Sequence, residues 1–225
     1  MLPGKNLRIV WLTSAAILVA GLLESSALQL GSRPAADRIE RLENSKRIAS
    51  LKIEEVLARL KLKPGDIVAD IGAGTGVFTR PLARAVGPTG KVFSVEVDQA
   101  LLDDIDKRSR QEQLENIQTV LGEFNDPKLP SRQMDLAFFH DVLHHIEHRE
   151  TYLKALASYL KPAGRIVVID LVMDKNNPGS PHANEPEMYV TKEDVARWMD
   201  KAGFYPVEEF DLFTEKYFVI YARKQ

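Results

Sequence analysis

A glycine-rich turn directly behind a short apolar run is the feature of this sequence that most restricts its fold. Residues 68–76 read VADIGAGTG, with glycines at positions 72, 74 and 76. Glycine permits the tight turn by which a strand passes into a helix, which is also where open α/β sheets bind their ligands. The stretch therefore predicts a strand, a ligand-binding turn and a helix.

The same alternation continues along the chain. Helical patterns at Phe78–Val86, Leu101–Ser109 and Glu147–Leu160 separate short apolar runs. These runs are IVADI, KVFSVEV, NIQTVL, MDLAFFH and GRIVVIDLV. Because parallel strands covered on both faces read as such apolar runs, the predicted fold class is α/β with a doubly wound sheet.

The C-terminal part departs from this alternation. Thr191 and Asp194 form a capping-box pattern at the start of the helix KEDVARWMDKAGF. Two β-rich stretches follow, YPVEEFDLF and KYFVIYA, separated by Thr214 and Glu215. So short a connection permits only an antiparallel pair.

The N-terminal part differs in composition from the rest. Ile9–Leu23 is an apolar run with basic residues before it, and Ser25 and Ala27 supply the small side chains of a signal peptidase site. We expect residues 1–27 to be a secretory signal cleaved after Ala27, or else an uncleaved membrane anchor, with the domain outside in both cases. Residues 28–60 then form one or two amphipathic helices, and residues 61–225 the main domain.

Composition excludes several classes of function. Thirty basic and 32 acidic residues give a net charge of -2, so there is no overall positive field for a nucleic acid. The absence of cysteine excludes disulfides, thiolate metal ligands and cysteine nucleophiles. We expect no nucleic-acid partner.

The spacing of the glycines limits the ligand. A dinucleotide fingerprint needs its third glycine at position 77, where this chain has Val77, and the Gly-Lys-Ser/Thr ending of a P-loop is missing. Glu96 ends the next predicted strand, where a carboxylate can accept hydrogen bonds from both ribose hydroxyls or simply be solvated. The pattern favours a nucleoside without a pyrophosphate.

Together these segments resemble a class I S-adenosylmethionine-dependent methyltransferase, of the group related to quinone and small-molecule methyltransferases. The matching segments are VADIGAGTG, VFSVEVD, VLGEFNDPKLP, MDLAFFHDVLHHI and LKPAGRIVVID, and the C-terminal helix and hairpin are also similar. The resemblance implies a Rossmann-like, seven-stranded, mostly parallel sheet with a C-terminal antiparallel hairpin. It also implies S-adenosylmethionine as cofactor and a small-molecule or lipid-like methyl acceptor.

The resemblance assigns residues to the cofactor. It implies that Asp70, Gly72, Gly74 and Gly76 line the methionine end and that Glu96 holds the ribose.

The adenine and methyl ends are assigned in the same way. Glu123 is expected near the adenine, where Glu-Phe replaces the commoner Asp-Ala, so Phe124 is expected to stack. His140 is expected beside the cofactor, and Asp141 near the transferring methyl.

Four of the five histidines lie in HDVLHHIEH, residues 140–148. His144 and His148 are four apart, but a zinc motif would need Glu at position 145, so we expect no metal. The resemblance implies that His144 or His145 acts as a general base or orients the acceptor. The alternative is that His145 is a packed or capping residue.

Other interpretations remain open at this point. Residues 35–60 and the loop 173–190, with His182 and Tyr189, are candidate lids, though a plain loop is also compatible. A non-catalytic adenosyl-nucleoside-binding module is the alternative to an enzyme, whereas a nicotinamide-dependent oxidoreductase conflicts with Val77. The predicted export also conflicts with a cofactor that is made in the cytoplasm.

Overall fold

The computed structural model describes residues 34–173, 185 and 188–224. The chain divides into two compact units, residues 1–38 and residues 39–225. The expected signal or anchor segment and His182 fall outside the described residues. Among the helices that are described, none is long and apolar enough to cross a bilayer.

Helices and strands alternate through the described residues. The helices are α1 Ala35–Leu42, α2 Ser45–Ser50, α3 Ile53–Leu60, α4 Thr79–Val86, α5 Gln99–Gln111, α6 Arg149–Ala157 and α7 Lys192–Lys201. The strands are β1 Ile67–Ile71, β2 Lys91–Glu96, β3 Ile117–Leu121, β4 Met134–His140, β5 Leu160–Leu171, β6 Phe204–Glu209 and β7 Lys216–Arg223. A short 3-10 helix, Leu143–His145, follows β4.

The strands form one sheet in the order β3-β2-β1-β4-β5-β7-β6. The first five are parallel, and β7 is antiparallel to both β5 and β6. The predicted fold class is therefore confirmed. The strand order reverses between β1 and β4, so the carboxyl ends of these two strands border the crevice in which such sheets bind ligands.

The sheet buries both of its faces. Side chains of adjacent strand residues point to opposite faces, so Phe138 and Phe139 enter different apolar clusters. Phe139 packs with side chains of α6 and α7, and Phe138 packs with side chains of α3 and α4. Burial on both faces explains why β1, β4 and β5 read as unbroken apolar runs.

The N-terminal lead-in differs from the prediction of one or two helices. It contains three short helices, because the chain is interrupted twice. Asn44 caps α2, its Oδ1 accepting hydrogen bonds from the backbone N–H groups of Lys46 (3.0 Å) and Arg47 (3.3 Å). Lys52 then takes a left-handed conformation, with φ of 47°, before α3.

The C-terminal hairpin pairs as predicted but with a longer connection. β6 ends at Glu209 and β7 begins at Lys216, so residues 210–215 connect them rather than Thr214 and Glu215 alone. β7 lies between β5 and β6, which makes it an inner strand of the sheet.

The inner position of β7 predicts a large effect of truncating its buried side chains. Phe218 is 0% exposed, so Phe218→Ala should lower the free energy of unfolding by about 3–5 kcal/mol through lost packing. Urea denaturation followed by circular dichroism measures it. Tyr205→Ala, on the edge strand β6 and 45% exposed, is the control and should cost far less. Equal effects would contradict an inner β7.

Candidate active site

The glycine loop between β1 and α4 has a left-handed backbone at each predicted glycine. The φ angles are 66° at Gly72, 58° at Gly74 and 74° at Gly76. Side chains with a Cβ rarely adopt these angles, so the glycines are required by the course of the backbone itself.

Packing gives a second reason for Gly72 and places Gly74 close to a neighbouring side chain. A Cβ on Gly72 would lie 2.1 Å from Cγ2 of Val142, in the loop after β4. A Cβ on Gly74 would lie 3.3 Å from Cδ1 of Leu42, at the end of α1. The loop is thus held between the end of β4 and the N-terminal helices.

The N–H groups of the loop are largely used inside the protein. Gly72 and Ala73 donate to the carbonyl of Val95, at 2.9 and 3.0 Å, and Gly76 donates to the carbonyl of Ala73 at 2.9 Å. Gly74 donates to Oε2 of Glu96 at 3.1 Å. Since a phosphate cradle needs free N–H groups, this arrangement agrees with the prediction against a phosphate ligand.

Glu96 lies at the carboxyl end of β2 and is half-buried. Its Oε2 accepts from Gly74, and its Oε1 accepts from the N–H of Val97 at 2.8 Å. Burial raises the pKa of this carboxyl, while those two backbone hydrogen bonds lower it in part. The side chain therefore joins the glycine loop to the end of β2.

Glu123 and Phe124 lie on the loop after β3, next to β2 in the sheet. β3 pairs with β2 up to Leu121 opposite Glu96, and Gly122 donates to the carbonyl of Glu96 at 3.0 Å. Both following side chains are exposed: Glu123 forms an ion pair with Lys128 at 3.2 Å, and Phe124 is 36% exposed. Their positions put an acid and an aromatic ring on the loop beside the tip of β2.

Asp70 faces the interior. It is 3% exposed, and its Oδ2 accepts a hydrogen bond of 2.6 Å from the hydroxyl of Thr79. That hydroxyl accepts in turn from Ser94 at 3.0 Å. Burial raises the pKa of Asp70 to about 7 against the lowering effect of the Thr79 hydrogen bond. The residue links β1, α4 and β2, and its carboxyl is almost wholly enclosed.

Asp141 follows β4 and also has a left-handed backbone, with φ of 55°. Its Oδ2 accepts from Nζ of Lys216, at the start of β7, at 2.6 Å and lies 3.4 Å from Nδ1 of His140. Burial alone would raise the pKa of this carboxyl, but His140 and Lys216 outweigh it and hold the pKa below its ordinary value. Asp141 is therefore ionised at neutral pH.

The side chain of His140 is 5% exposed and packs on Phe78, with ring centroids 4.7 Å apart. Burial is the main cause that lowers the pKa of this imidazole to about 4, although Asp141 opposes the shift. His140 is accordingly neutral at physiological pH.

The adjacent histidines occupy different environments. His144 is 3% exposed; its Nδ1 lies 2.6 Å from Oδ1 of Asp170, and its backbone N–H donates to Oδ2 of the same carboxylate at 3.2 Å. His145 is half-buried, with its ring centroid 4.1 Å from that of His144. No three His, Asp or Glu side chains in the described ranges are arranged to hold a metal ion.

Leu42 and Glu43, between the end of α1 and the start of α2, lie close to the glycine loop and α4. Besides Leu42, Glu43 forms ion pairs with Arg80 of α4 at 3.2 Å and with Arg108 of α5 at 3.4 Å. Burial lowers the pKa of Arg47 in α2, and the nearby charge of Asp141 opposes that shift. Residues 42 and 43 of the segment 35–60 thus contact the glycine loop, α4 and α5, and a lid role for this segment stays a prediction.

A cleft of about 510 Å³ opens at the end of β5. It is bordered by the start of α7 and by the connection between β6 and β7. Its lining includes Val172, Met173, Lys192, Phe213, Lys216 and Tyr217. Lys216 therefore belongs both to this cleft and to the contacts of Asp141.

Three residues of the site cannot be identified from the sequence: Lys216, Asp170 and Glu43. Lys216 and Asp170 lie at the ends of predicted strands that meet in the antiparallel pair, so the pairing of those strands was their only signal. Glu43 stood in a helical pattern without any feature that distinguished it from its neighbours.

The proteins that resemble this chain in sequence are methyltransferases. The sequence pattern of the family described as "Methyltransferase domain" matches residues 62–210. A ubiquinone/menaquinone biosynthesis C-methyltransferase from Ectopseudomonas mendocina is 31% identical over 125 residues, which cover 53% of this chain and 46% of that protein. A demethylmenaquinone methyltransferase from Lactobacillus johnsonii is 30% identical over 119 residues, covering 52% and 49%. This chain thus spans about half the length of the curated relatives it matches.

A solved structure supports the same fold. The crystal structure of a SAM dependent methyltransferase from Aquifex aeolicus matches with a TM-score of 0.74 at 23% identity. The match covers 85% of this chain and 99% of that one. At this identity the likeness concerns the fold alone.

The buried Asp70 predicts a pH dependence of stability. Between the ordinary aspartate value of 3.8 and about 7, the folded state holds a proton that the unfolded state has lost. The contribution of Asp70 to stability therefore falls as pH rises across this window and is constant above it. In Asp70→Asn this contribution is absent, so the variant should gain stability relative to wild type as pH rises.

Urea denaturation of both proteins at several pH values between about 4.5 and 8 measures this difference. Thr79→Val, which removes the hydrogen bond that lowers the pKa, should extend the window to higher pH. A difference between Asp70→Asn and wild type that is constant with pH would contradict the raised pKa.

Proposed function

The chain belongs to the S-adenosylmethionine-dependent methyltransferases, and we propose that it transfers a methyl group from that cofactor to a quinol-like small molecule. The observation that carries the proposal is the hydrogen bond by which Glu96 is fixed to Gly74 of the glycine loop. It holds a carboxylate at the strand tip where a ribose is bound, beside a loop that has few N–H groups left for a phosphate.

The residues present suit this cofactor from end to end. Oδ1 of Asp141 is buried and has no hydrogen-bond partner among the residues described. An orphaned carboxylate oxygen matches the ammonium group of a methionine moiety, because a buried charge needs a partner. Glu96 would accept hydrogen bonds from the ribose, and the exposed ring of Phe124 offers a surface for the adenine.

Bound S-adenosylmethionine supplies a methyl group that is already electrophilic because its sulfur is positively charged. The protein's task is then to align the acceptor and to exclude water. His140, neutral and packed on Phe78, and Asp141, held by Lys216, form a fixed wall at the carboxyl end of β4.

We assign different roles to the two adjacent histidines. His144 is enclosed and bound twice by Asp170, which suits a residue that positions its neighbour. His145 is half-buried, so an acceptor has more access to it, and an imidazole can take a proton near neutral pH. A base is needed if the acceptor must lose a proton from oxygen or carbon.

The names of the relatives support a quinol-like acceptor, since one acts in ubiquinone and menaquinone biosynthesis and another on demethylmenaquinone. The net charge of -2 agrees with a small or lipid-like molecule rather than a nucleic acid. We further propose that residues 1–27 are a signal or anchor segment; if uncleaved, the anchor would hold the domain at a membrane that contains such lipids.

N-terminal sequencing of the protein from fractionated cells tests the signal or anchor. A mature form that begins at Leu28 supports cleavage after Ala27, and an intact form in the membrane fraction supports an anchor. Recovery of the intact chain in the cytoplasm would contradict both.

Glu96 should contribute directly to the affinity for the cofactor. Glu96→Ala is expected to weaken binding of S-adenosylmethionine by about 1–3 kcal/mol, because charged hydrogen bonds to the ribose and to the loop are lost. Isothermal titration calorimetry with S-adenosylmethionine, S-adenosylhomocysteine and NAD measures it, with the exposed Glu115→Ala as control. No binding of the first two ligands by the wild type would remove the proposal.

His145 should affect turnover and not cofactor binding. His145→Ala is expected to lower kcat by about 100- to 10,000-fold with a short-chain demethylmenaquinol as acceptor, because proton removal is lost. Formation of S-adenosylhomocysteine reports the rate, and the exposed His148→Ala is the matched control. Cofactor binding without turnover in the wild type, across a series of quinols and phenols, would favour a non-catalytic binding module.

A further inference from the structure

We propose that Asp170 and Arg149 are positioning residues for the reaction: they hold the histidine turn, Leu143–His145, from two sides, so that His145 faces the acceptor in one fixed orientation. This inference rests on the methyltransferase function proposed above. It adds what fixes the direction of the base, and it gives a role to two charged side chains that the cofactor site does not use.

The histidine turn is too short to fix its own direction. It follows β4 as a single turn of 3-10 helix. Within it, the N–H of His145 donates to the carbonyl of Val142 at 2.9 Å. The N–H of Ile146 donates to the carbonyl of Leu143 at 3.2 Å. Hydrogen bonds in such turns have poorer geometry than those of an α-helix, so contacts from other elements must set the direction of the turn.

Asp170, near the end of β5, holds the turn through His144. The carboxylate is 2% exposed and accepts hydrogen bonds from the backbone N–H groups of His144 at 3.2 Å and Leu171 at 2.9 Å. Its Oδ1 also lies 2.6 Å from Nδ1 of His144. Because a carboxylate can only accept, Nδ1 carries the hydrogen and one tautomer of His144 is selected. The ring of His145, 4.1 Å away between centroids, thus packs on an imidazole that is held at its backbone and at its ring.

Arg149, the first residue of α6, holds the turn through its carbonyls. Its Nε donates to the carbonyl of Leu143 at 3.2 Å, and its Nη2 donates to the carbonyl of His144. The planar guanidinium group suits two neighbouring acceptors, whereas a lysine ammonium has no such fork. The guanidinium carbon lies 5.6 Å from the ring centroid of Trp198 in α7, a cation–π contact that supports its placement. An anion therefore binds the turn at an N–H group, and a cation binds it at two carbonyls.

The charges of these two side chains favour a positioning role. Burial lowers the pKa of Arg149, and the neighbouring carboxylates of Asp170, Asp194 and Glu147 oppose that shift. Buried charged groups add little net stability compared with apolar side chains of similar size. Charge-assisted hydrogen bonds do fix the geometry of the groups they join. Two such groups on a turn of three residues are therefore better explained by the orientation that they fix.

Both residues should act on proton removal and not on cofactor binding. Glu96 and the glycine loop, which we place at the cofactor, lie at the ends of β2 and β1, whereas Asp170 belongs to β5 on the other side of β4. Loosening the histidine turn therefore changes the direction of His145 and leaves the ribose contacts in place. A misplacement of about 1 Å at a reacting group can lower a rate about 100-fold.

Arg149→Lys tests this role, because lysine keeps the charge and removes the fork. With a short-chain demethylmenaquinol, kcat should fall about 10- to 100-fold, and KM for S-adenosylmethionine should stay within about twofold of wild type. Combined with His145→Ala, the same change should lower kcat no further, because it acts through that imidazole. Arg223→Lys is the matched control and should keep the wild-type kcat. Arg223 likewise donates to a carbonyl, that of Ala157, and lies over an aromatic ring, that of Phe204.

Nuclear magnetic resonance of the imidazole nitrogens gives a measurement that needs no turnover. In the wild type, the proton–nitrogen correlation spectrum should show His144 with its hydrogen on Nδ1, assigned by the loss of its signals in His144→Gln. Asp170→Asn should lower the share of this tautomer and lower kcat at least about tenfold. If Asp170→Asn does not fold, the wild-type spectrum and Arg149→Lys decide the question.

Three results would overturn the positioning role. They are a wild-type His144 with its hydrogen on Nε2, no loss of kcat in Arg149→Lys, and an equal loss of kcat from Arg149→Lys with and without His145. The last would mean that the arginine supports the fold in general. The affinity for S-adenosylhomocysteine, measured by calorimetry on each sample, shows whether a variant is folded. A wild type that neither binds this ligand nor forms it contradicts the methyltransferase function, and this inference with it.

Discussion

The hydrogen bond between the N–H of Gly74 and the carboxylate of Glu96 is the interaction on which the site depends. It joins the end of β1 to the end of β2, and the carbonyl of Val95 strengthens the same junction by accepting from Gly72 and Ala73. Three left-handed glycines allow the loop to reach these partners. A loop whose N–H groups are bound internally is rigid before any ligand arrives, and preorganisation of this kind lowers the entropy cost of binding.

The fold could be predicted from the sequence because strands that are buried on both faces of the sheet appear as unbroken apolar runs. β1, β4 and β5 are enclosed by helices, so their apolar runs were visible at once. The N-terminal helices were harder to predict, because Asn44 and Lys52 divide into three helices a segment whose apolar spacing indicated one or two. Capping by an asparagine and a left-handed lysine are local events that hydrophobic spacing does not report.

Residues of the site could be predicted from the sequence only where they lie at the carboxyl end of a predicted parallel strand. Three parts of the site lie at such ends: the glycine loop, Glu96 and the histidine segment 140–148. The carboxyl ends of parallel strands meet at one edge of the sheet. Lys216 comes to that edge because β7 runs antiparallel, from a sequence position 75 residues after Asp141. The burial of Asp70 could not be predicted from the sequence either, because it depends on Thr79 of α4 and Ser94 of β2.

The ion pairs of Glu43 bear on how the protein responds to ionic strength. One carboxylate bridges Arg80 of α4 and Arg108 of α5, and Leu42 beside it covers Gly74. These contacts connect the chain between α1 and α2 to α4, to α5 and to the glycine loop. Since salt screens ion pairs between partly exposed side chains, ionic strength would act on this side of the glycine loop through three side chains that lie outside the loop itself.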